Sequence, residues 1–523
     1  MPAPLLTFGL RRERATLPWW IAGTGLLFLV QSTQSQDLYG DPAALARLRE
    51  TVGANTAVIA MSGPPELLTS IGGEIVFEMF GFAAVVVALM NMFLIGRHTR
   101  GDEEAGRAEL LRSTPISRRA PVFAALRLAA IADLAVGAVV FAALAGTGLP
   151  VAGSLLVAAA TAALGLLFAA LTVLAAQIFE HTRGVYAAVG TLIGAAWALR
   201  AVGDSGRSGV VWASPIGWGQ QTMPFGADRW WPLAITLAAA VVVVAAALAV
   251  LDRRDFGAGL LRSRPGRPHA SRALGTPSGL AWRLQRGLVI GWTAGVGMLG
   301  MAYGAIADSI EQWVTGNPEI AEFLPGGAQD VVDSYLALTV TLSALLAAAA
   351  GVSAALRARA EETAGRAEPI LATATSRVAW LGGHLGVALA GSALVLLAGG
   401  TFEGLAYGLT VGDPGQAARM AGAALVYLPG VWAVVAVAAF GLGWVARAAA
   451  VAAWSVLGYC AVVELFAASF GLPEWALRLS PFTHLPQAPL EPVTAGPPVV
   501  VGAVAAVLIV AGVLGFRRRD VGY

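Results

Sequence analysis

Arg100-Gly-Asp-Glu-Glu-Ala-Gly-Arg-Ala-Glu-Leu-Leu-Arg-Ser-Thr-Pro-Ile-Ser-Arg118 decides how the chain is read, because the chain carries this stretch twice. From Ala105 onward it aligns without a gap on Ala364-Gly-Arg-Ala-Glu-Pro-Ile-Leu-Ala-Thr-Ala-Thr-Ser-Arg377, with eight of fourteen positions identical. Upstream the register holds, with Arg100 on Arg359 and Glu103 on Glu362. Other landmarks return in the same order: Arg11, Arg14 and Trp20 on Arg283, Arg286 and Trp292; Ser214-Pro215 on Ser480-Pro481; Arg253-Arg254-Asp255 on Arg518-Arg519-Asp520. Their offsets drift slightly, as changes of loop length between two copies would make them. Self-similarity on this scale means that one structural unit is present twice.

Each copy is embedded in apolar sequence. Of 523 residues, 57% are hydrophobic and 13% charged, more apolar side chain than a water-soluble domain can bury. Runs of about 20 apolar residues, the length that crosses a bilayer, predict spans at 17–34, 72–96, 120–147, 150–179, 184–202 and 230–251. A second set follows at 286–307, 335–357, 378–400, 417–444, 447–470 and 495–515. The first run follows Arg11, Arg12 and Arg14 like a signal peptide, but its signature recurs in mid-chain, so it is read as a retained span. The expected fold is therefore an all-α integral membrane protein of about twelve transmembrane helices. Residues 1–251 and 283–523 form the two six-span halves, and 252–282, rich in Arg, Pro, Gly and Ser, form a cytoplasmic linker. Most arginines fall on the linker, on both termini and on the segments after each even span, which places both termini in the cytoplasm. An even number of spans per copy makes the repeats parallel, related by an axis along the membrane normal.

All 34 basic residues are arginine. Without lysine the chain cannot form a G-x-x-x-x-G-K-[ST] phosphate loop, so it holds no ATPase site of that kind. A net charge of +2 with scattered arginines is no nucleic-acid footprint. The single cysteine, Cys460, excludes an intrachain disulfide and a cysteine-based metal site. No cluster has metal-ligand spacing and no catalytic constellation is present. Glu74, Glu78, Asp133 and Glu464 fall at or within predicted spans, and Asp333 aligns with Glu74; ionisable groups there are expensive and face protein or water. They are candidates for a substrate pathway or a proton relay, against the plainer reading of interfacial groups paired with neighbouring helices. Residues 35–70, where Asp41-Pro42 starts a helix, and 308–334 read as outer amphipathic excursions, either lids or headgroup-level anchors.

Within the repeated stretch, Ala105, Ala108 and Leu111 have helical spacing, and Glu103–Arg107 and Glu362–Arg366 stand four apart in the favourable order. Pro115 then breaks the helix before the next span. The local expectation is a short amphipathic helix along the inner membrane surface, against a plain solvated connecting loop. Here the sequence resembles the permease subunits of type-2 ABC exporters. Their loop between the second and third spans reads as an acidic pair, Gly, a small or basic residue, Glu, leucines, Thr-Pro and Ser-Arg. Glu103-Glu104, Gly106, Glu109, Leu110-Leu111, Thr114-Pro115 and Ser117-Arg118 match that pattern, and Gly515-Phe516-Arg-Arg-Arg-Asp520 is similar to that family's ending. The double-length arrangement is similar to actinobacterial exporters of polyketide antibiotics and other drugs. The second copy departs from the pattern at Thr363 and Ala374, so the two surfaces are expected to be unequal.

The resemblance implies that each loop is a coupling helix on two copies of a separate cytoplasmic ATPase subunit, which holds ATP and Mg²⁺; this chain needs no cofactor. Arg100, Glu103, Gly106, Arg107, Glu109, Pro115 and Arg118, with Arg359, Glu362, Gly365, Arg366, Glu368 and Arg377, become the expected coupling residues. The expected function is that of a bacterial plasma-membrane permease moving hydrophobic or amphiphilic compounds out of the cell. The alternative is a proton-coupled efflux transporter.

Overall fold

The computed structural model describes residues 3–52, 56–113, 116–255, 257–261, 269–310, 331–470 and 472–520. The chain divides into two compact units, Met1–Gly266 and Arg267–Tyr523.

In the first unit, the helices are α1 (Ala3–Glu13), α2 (Leu17–Tyr39), α3 (Pro42–Val52), α4 (Thr56–Met61), α5 (Ile71–His98), α6 (Arg100–Glu104), α7 (Arg107–Arg112), α8 (Ala120–Gly146), α9 (Val151–Ile178), α10 (Thr182–Ser205), α11 (Pro215–Gln220) and α12 (Trp231–Arg253). Their starts follow from local chemistry. Proline occupies the first turn of α2, α8, α11 and α12, where its missing N–H costs nothing. Ser70 caps α5 by accepting from Gly73 N at 3.1 Å. Asp41 accepts from Ala43 N at 3.1 Å where α3 begins, as the Asp-Pro pair predicts. Helix α9 is the centre of this unit, packed by α5, α8, α10 and α12. Its Ala- and Gly-rich faces let neighbouring backbones approach closely.

In the second unit, the helices are α13 (Pro277–Ile306), α14 (Val331–Ala355), α15 (Arg357–Thr363), α16 (Ala367–Leu371), α17 (Arg377–Val411), α18 (Gly415–Val426), α19 (Leu428–Trp444), α20 (Ala449–Phe470), α21 (Glu474–Leu477) and α22 (Gly496–Arg518). Thr276 caps α13 and Ser376 caps α17, and Gly412, left-handed at φ +72°, ends α17. Helix α13 lies along α17, α19 along α22, and α14 packs on α17 and α19.

Among the described residues, ten helices are long and apolar enough to cross a membrane: α5, α8, α9, α10, α12, α13, α14, α17, α18 with α19, and α22. The sequence predicted twelve. Of the two others, α2 is helical but less apolar over a full span, and α20 is a 22-residue apolar helix over nearly all of the predicted 447–470, with its described apolar part shorter than a span. In α2 the last turns hold Gln31, Ser32, Thr33, Gln34, Ser35, Gln36 and Asp37, and in α20 the apolar part is Ala449–Leu465. Trp313, Ile320 and Phe323 of the second outer excursion, and Arg262, Arg264 and Arg267 of the linker, lie outside the described residues.

Candidate functional site

The repeated stretch folds, in each unit, into two short helices separated by a left-handed glycine. Gly106 (φ +71°) separates α6 from α7, and Gly365 (φ +69°) separates α15 from α16. A residue with a Cβ is strained at such an angle, which explains glycine at both places. The single amphipathic helix expected from spacing is therefore broken, and the expected i,i+4 pairs do not form. Arg107 turns back across the glycine to Asp102 (2.8 Å), and Arg366 to Glu361 (2.7 Å).

Under the first loop lies a charge latch. Arg100 is 1% exposed. Its guanidinium donates to Ala176 O of α9 at 2.7 Å and to Glu103 Oε2 at 2.7 Å. Glu103 also accepts from both terminal nitrogens of Arg254, which follows the last helix of the unit. Arg254 Nε reaches Gln177 Oε1 at 2.8 Å, and the Arg254 carbonyl accepts from Arg118 at the far end of the loop. A buried charge is tolerated only when paired and hydrogen-bonded, and each member here has such partners. A cavity of about 60 Å³ lies beside them, lined in part by His98, Arg100, Glu103, Arg118 and Arg254.

The second loop repeats the centre of this arrangement, without counterparts for the bonds to Ala176 and Gln177; Arg519 Nε has no hydrogen-bond partner. Arg359 pairs with Glu362 at 3.0 Å, and Glu362 accepts from Arg519 at 2.9 Å, one residue beyond α22. The Arg519 carbonyl accepts from Arg377. Arg519 also lies over the Phe516 ring at 5.1 Å, and Phe516 stacks on Trp380 at 5.7 Å. Glu362 is 5% exposed.

The loops differ in their other ties. In the first, Asp102 also pairs with Arg12 of α1 (2.8 Å), and Glu104 accepts from Thr182 N (3.0 Å) and Thr182 Oγ1 (2.6 Å) at the start of α10. Thr363 stands where Glu104 would be, and its hydroxyl bonds only to carbonyls within α15. Glu13, beside this first loop, is 1% exposed and binds Arg97 (2.9 Å), His98 (3.0 Å) and Thr16. Burial alone would raise its pKa, but the hydrogen bonds from His98 and Thr16 and the charge of Arg97 outweigh it and hold the carboxyl at about 2.

The expected coupling residues thus separate into two groups. Arg100, Glu103 and Glu362 face inward and belong to the latches, joined by the less buried Arg118, Arg359 and Arg377. Arg107, Glu109, Gly365, Arg366 and Glu368 are exposed on the loops and Gly106 is half-buried; Pro115 lies outside the described residues. Sequence reading noted Arg254 and Arg519 as repeated landmarks but gave them no role; their Arg-Arg-Asp recurrence was the available signal.

The candidate pathway acids do not come together as one cluster. Glu74 is buried on α5 with no hydrogen bond to either oxygen, and one turn on Glu78 accepts from Gln31 Nε2 of α2 at 2.7 Å. Asp133 accepts from Asn91 at 2.8 Å. In the second unit Asp333, aligned with Glu74, is half-exposed and paired with Arg419 at 2.6 Å, and Glu464 accepts from Ser480 at 2.7 Å. Sequence reading missed Glu403, fully buried on α17 and bound by Thr339, because it falls just past the predicted span end at 400. No group of three or more His, Cys, Asp or Glu among the described residues is placed to hold a metal ion.

Fold and loops together define a multi-pass, all-helical membrane protein with a related loop latch in each unit. A family model described as the C-terminal domain of the multidrug efflux system permease Rv1217c matches residues 274–517. The multidrug efflux system permease protein Rv1217c of Mycobacterium tuberculosis is 38% identical over 521 residues, which cover 99% of this chain and 94% of the relative. The chain belongs to the family of that multidrug efflux system permease.

Proposed function

We propose that the chain is the membrane-spanning subunit of an ATP-driven exporter of hydrophobic or amphiphilic compounds, with two parallel six-span repeats at 1–251 and 283–523. The relative is named as the permease of a multidrug efflux system, which supports separate components. In this reading two copies of a cytoplasmic ATPase subunit hold ATP and Mg²⁺ and press on the exposed residues of the two loops, Arg107, Glu109, Arg366 and Glu368.

The observation that carries the proposal is the duplicated latch. A loop serving only to connect two spans has no need of a buried Arg–Glu–Arg bridge to the far end of its unit. A loop that receives force does, since the latch makes the loop and the end of the last span move as one body. Arg254 and Arg519 act as the positioning residues that transmit the displacement. The test is affinity capture of the full-length chain from its native membrane. The expected result is co-purification of a P-loop ATPase lost on reversing the exposed loop charges, R107E with R366E; capture unaffected by those reversals would overturn the loop assignment.

A second reading has its own observation. Glu74, buried beside Ser35 and Glu78, and Glu403, with one unpartnered buried oxygen, are placed as proton carriers would be. Proton-coupled efflux predicts export that follows an imposed pH gradient in vesicles lacking any ATPase and that E74Q or E403Q abolishes.

A further inference from the structure

At the end of the first unit opposite to the latch lies a cavity of about 610 Å³. It opens among the segment that precedes α5, the end of α10 and the segments on either side of α11. This volume falls in the range of pockets for drug-sized molecules. Its lining carries two carboxylates, Glu66 and Asp204, two guanidiniums, Arg207 and Arg229, and the apolar surfaces of Trp212 and Met223.

The walls are built in advance. Arg207, Met223, Phe225 and Asp228 all hold left-handed backbone angles (φ +44° to +60°), and all lie at or beside this cavity. Non-glycine residues adopt such angles only where the surroundings enforce them, and clusters of them accompany binding sites. The enforcement is visible. Phe225 N donates to Asp228 Oδ1 at 2.9 Å, its carbonyl accepts from Ser70 at 3.1 Å, and Arg229 N closes the loop onto Thr222 O at 2.7 Å. The Phe225 ring lies against Gly72 of α5 and Gly153 of α9 so closely that neither has room for a Cβ.

The lining also has an unmet demand. Asp204 is 4% exposed, and its Oδ2 has no hydrogen-bond partner. Arg200 Nη1 forms an ion pair with it at 3.6 Å, too long for a hydrogen bond, while Nη2 of that guanidinium donates to the carbonyls of Ala60 (2.7 Å) and Met61 (3.0 Å) and its Nε and Nη1 have no hydrogen-bond partner. A buried carboxylate oxygen left open lacks a donor, and an ammonium N–H supplies one. Since the lining charges cancel, a ligand of either single sign finds a repelling group beside each attracting one. A ligand carrying both signs finds partners for both. The exposed flank next to the cavity presents Val202, Val210, Trp230 and Trp231, the apolar and tryptophan-rich surface expected at headgroup level.

We propose that this cavity is a binding site for a zwitterionic amphiphile bearing a primary ammonium and an anionic group, with Asp204 and Glu66 taking the ammonium and Arg207 and Arg229 the anion. The site is independent of how transport is driven. A phosphoethanolamine lipid headgroup and a soluble zwitterion share this chemistry.

Calorimetric titration of the detergent-purified full-length chain tests it. The probes are dihexanoyl phosphatidylethanolamine, the matching choline and glycerol lipids, and glycerophosphoethanolamine. The ethanolamine lipid is expected to bind at least tenfold more tightly than the choline lipid, which has no N–H, and the glycerol lipid, which has no cation. D204N should erase the preference over choline, and R229Q should weaken the ethanolamine lipid about tenfold. Binding of glycerophosphoethanolamine as tight as that of the lipid identifies a soluble zwitterion as the occupant; binding of the lipid alone identifies a membrane source. Should D204N fail to fold, E66Q at the exposed mouth takes its place, with the same loss of preference expected. Equal affinity for the three lipids, or a preference unchanged by these substitutions, would overturn the proposal.

Discussion

Replacing Arg519 by methionine should loosen the second loop without unfolding the second unit. Methionine keeps the backbone carbonyl that Arg377 uses and removes the guanidinium, with its place over the Phe516 ring. The main loss is one charge-assisted hydrogen bond to a Glu362 side chain only 2% exposed, where solvent screens little. Such bonds contribute about 1.5–3 kcal/mol. The larger cost of about 3–5 kcal/mol for orphaning a buried charge is not reached, because Arg359 stays 3.0 Å from Glu362. The loss falls on local opening of α15 and α16, so amide protection there should drop about 10- to 150-fold, at about 1.4 kcal/mol per factor of ten. Hydrogen exchange read by mass spectrometry on peptides covering 357–371 measures this, and peptides covering 100–112 serve as internal control. Unchanged exchange at 357–371, or an equal rise in both loops, would refute the latch.

In the unsubstituted protein, the first loop's additional ties to Arg12 and Thr182 predict slower exchange at 100–112 than at 357–371, and the reverse order would contradict the asymmetry. G106A or G365A should each cost about 1–2 kcal/mol of local stability from backbone strain alone, since a Cβ at either meets nothing within 4 Å. Asparagine, more at ease in the left-handed region, should cost less than alanine; the same exchange measurement ranks them. For Glu13, the folded pKa of about 2 lies below the ordinary 4.5, so its anchoring of α1 is fully present above about 4.5 and fades as pH falls toward 2. The shift corresponds to about 3 kcal/mol at neutral pH. A dye at Leu5→Cys should therefore be less restrained in E13Q than in the parent at pH 7, by anisotropy, and the difference should shrink on acidification; a difference that is constant with pH would rule this out.

Several of the spans were legible because an apolar run of the right length has one interpretation in a chain this hydrophobic. The helix Ile71–His98 falls almost where 72–96 was expected. The paired loops were legible because duplication preserved Arg100, Glu103 and Arg118 in register with Arg359, Glu362 and Arg377. Their role within the loop was not. Spacing pairs Glu103 with Arg107, but a left-handed Gly106 rotates the second helix away, and Glu103 turns instead to Arg254, a partner 151 residues distant. Periodicity carries no information about such a contact. Charge in a loop also suggests solvent, whereas Arg100 and Glu362 are buried. Glu403 was hidden for a related reason: α17 runs to Val411, well past the 20 residues needed to span, so its buried acid fell beyond the predicted end.

The central claim is that the work done on this chain comes from a separate ATPase through the two loops. Co-reconstituted vesicles holding the chain and its co-purified ATPase, loaded with a fluorescent drug and given ATP without any pH gradient, test it most directly. The account predicts export that stops when the ATPase loses its P-loop lysine, and that stops in R254M/R519M while nucleotide hydrolysis continues. Export persisting with the disabled ATPase, or unaffected by the double substitution, would contradict it.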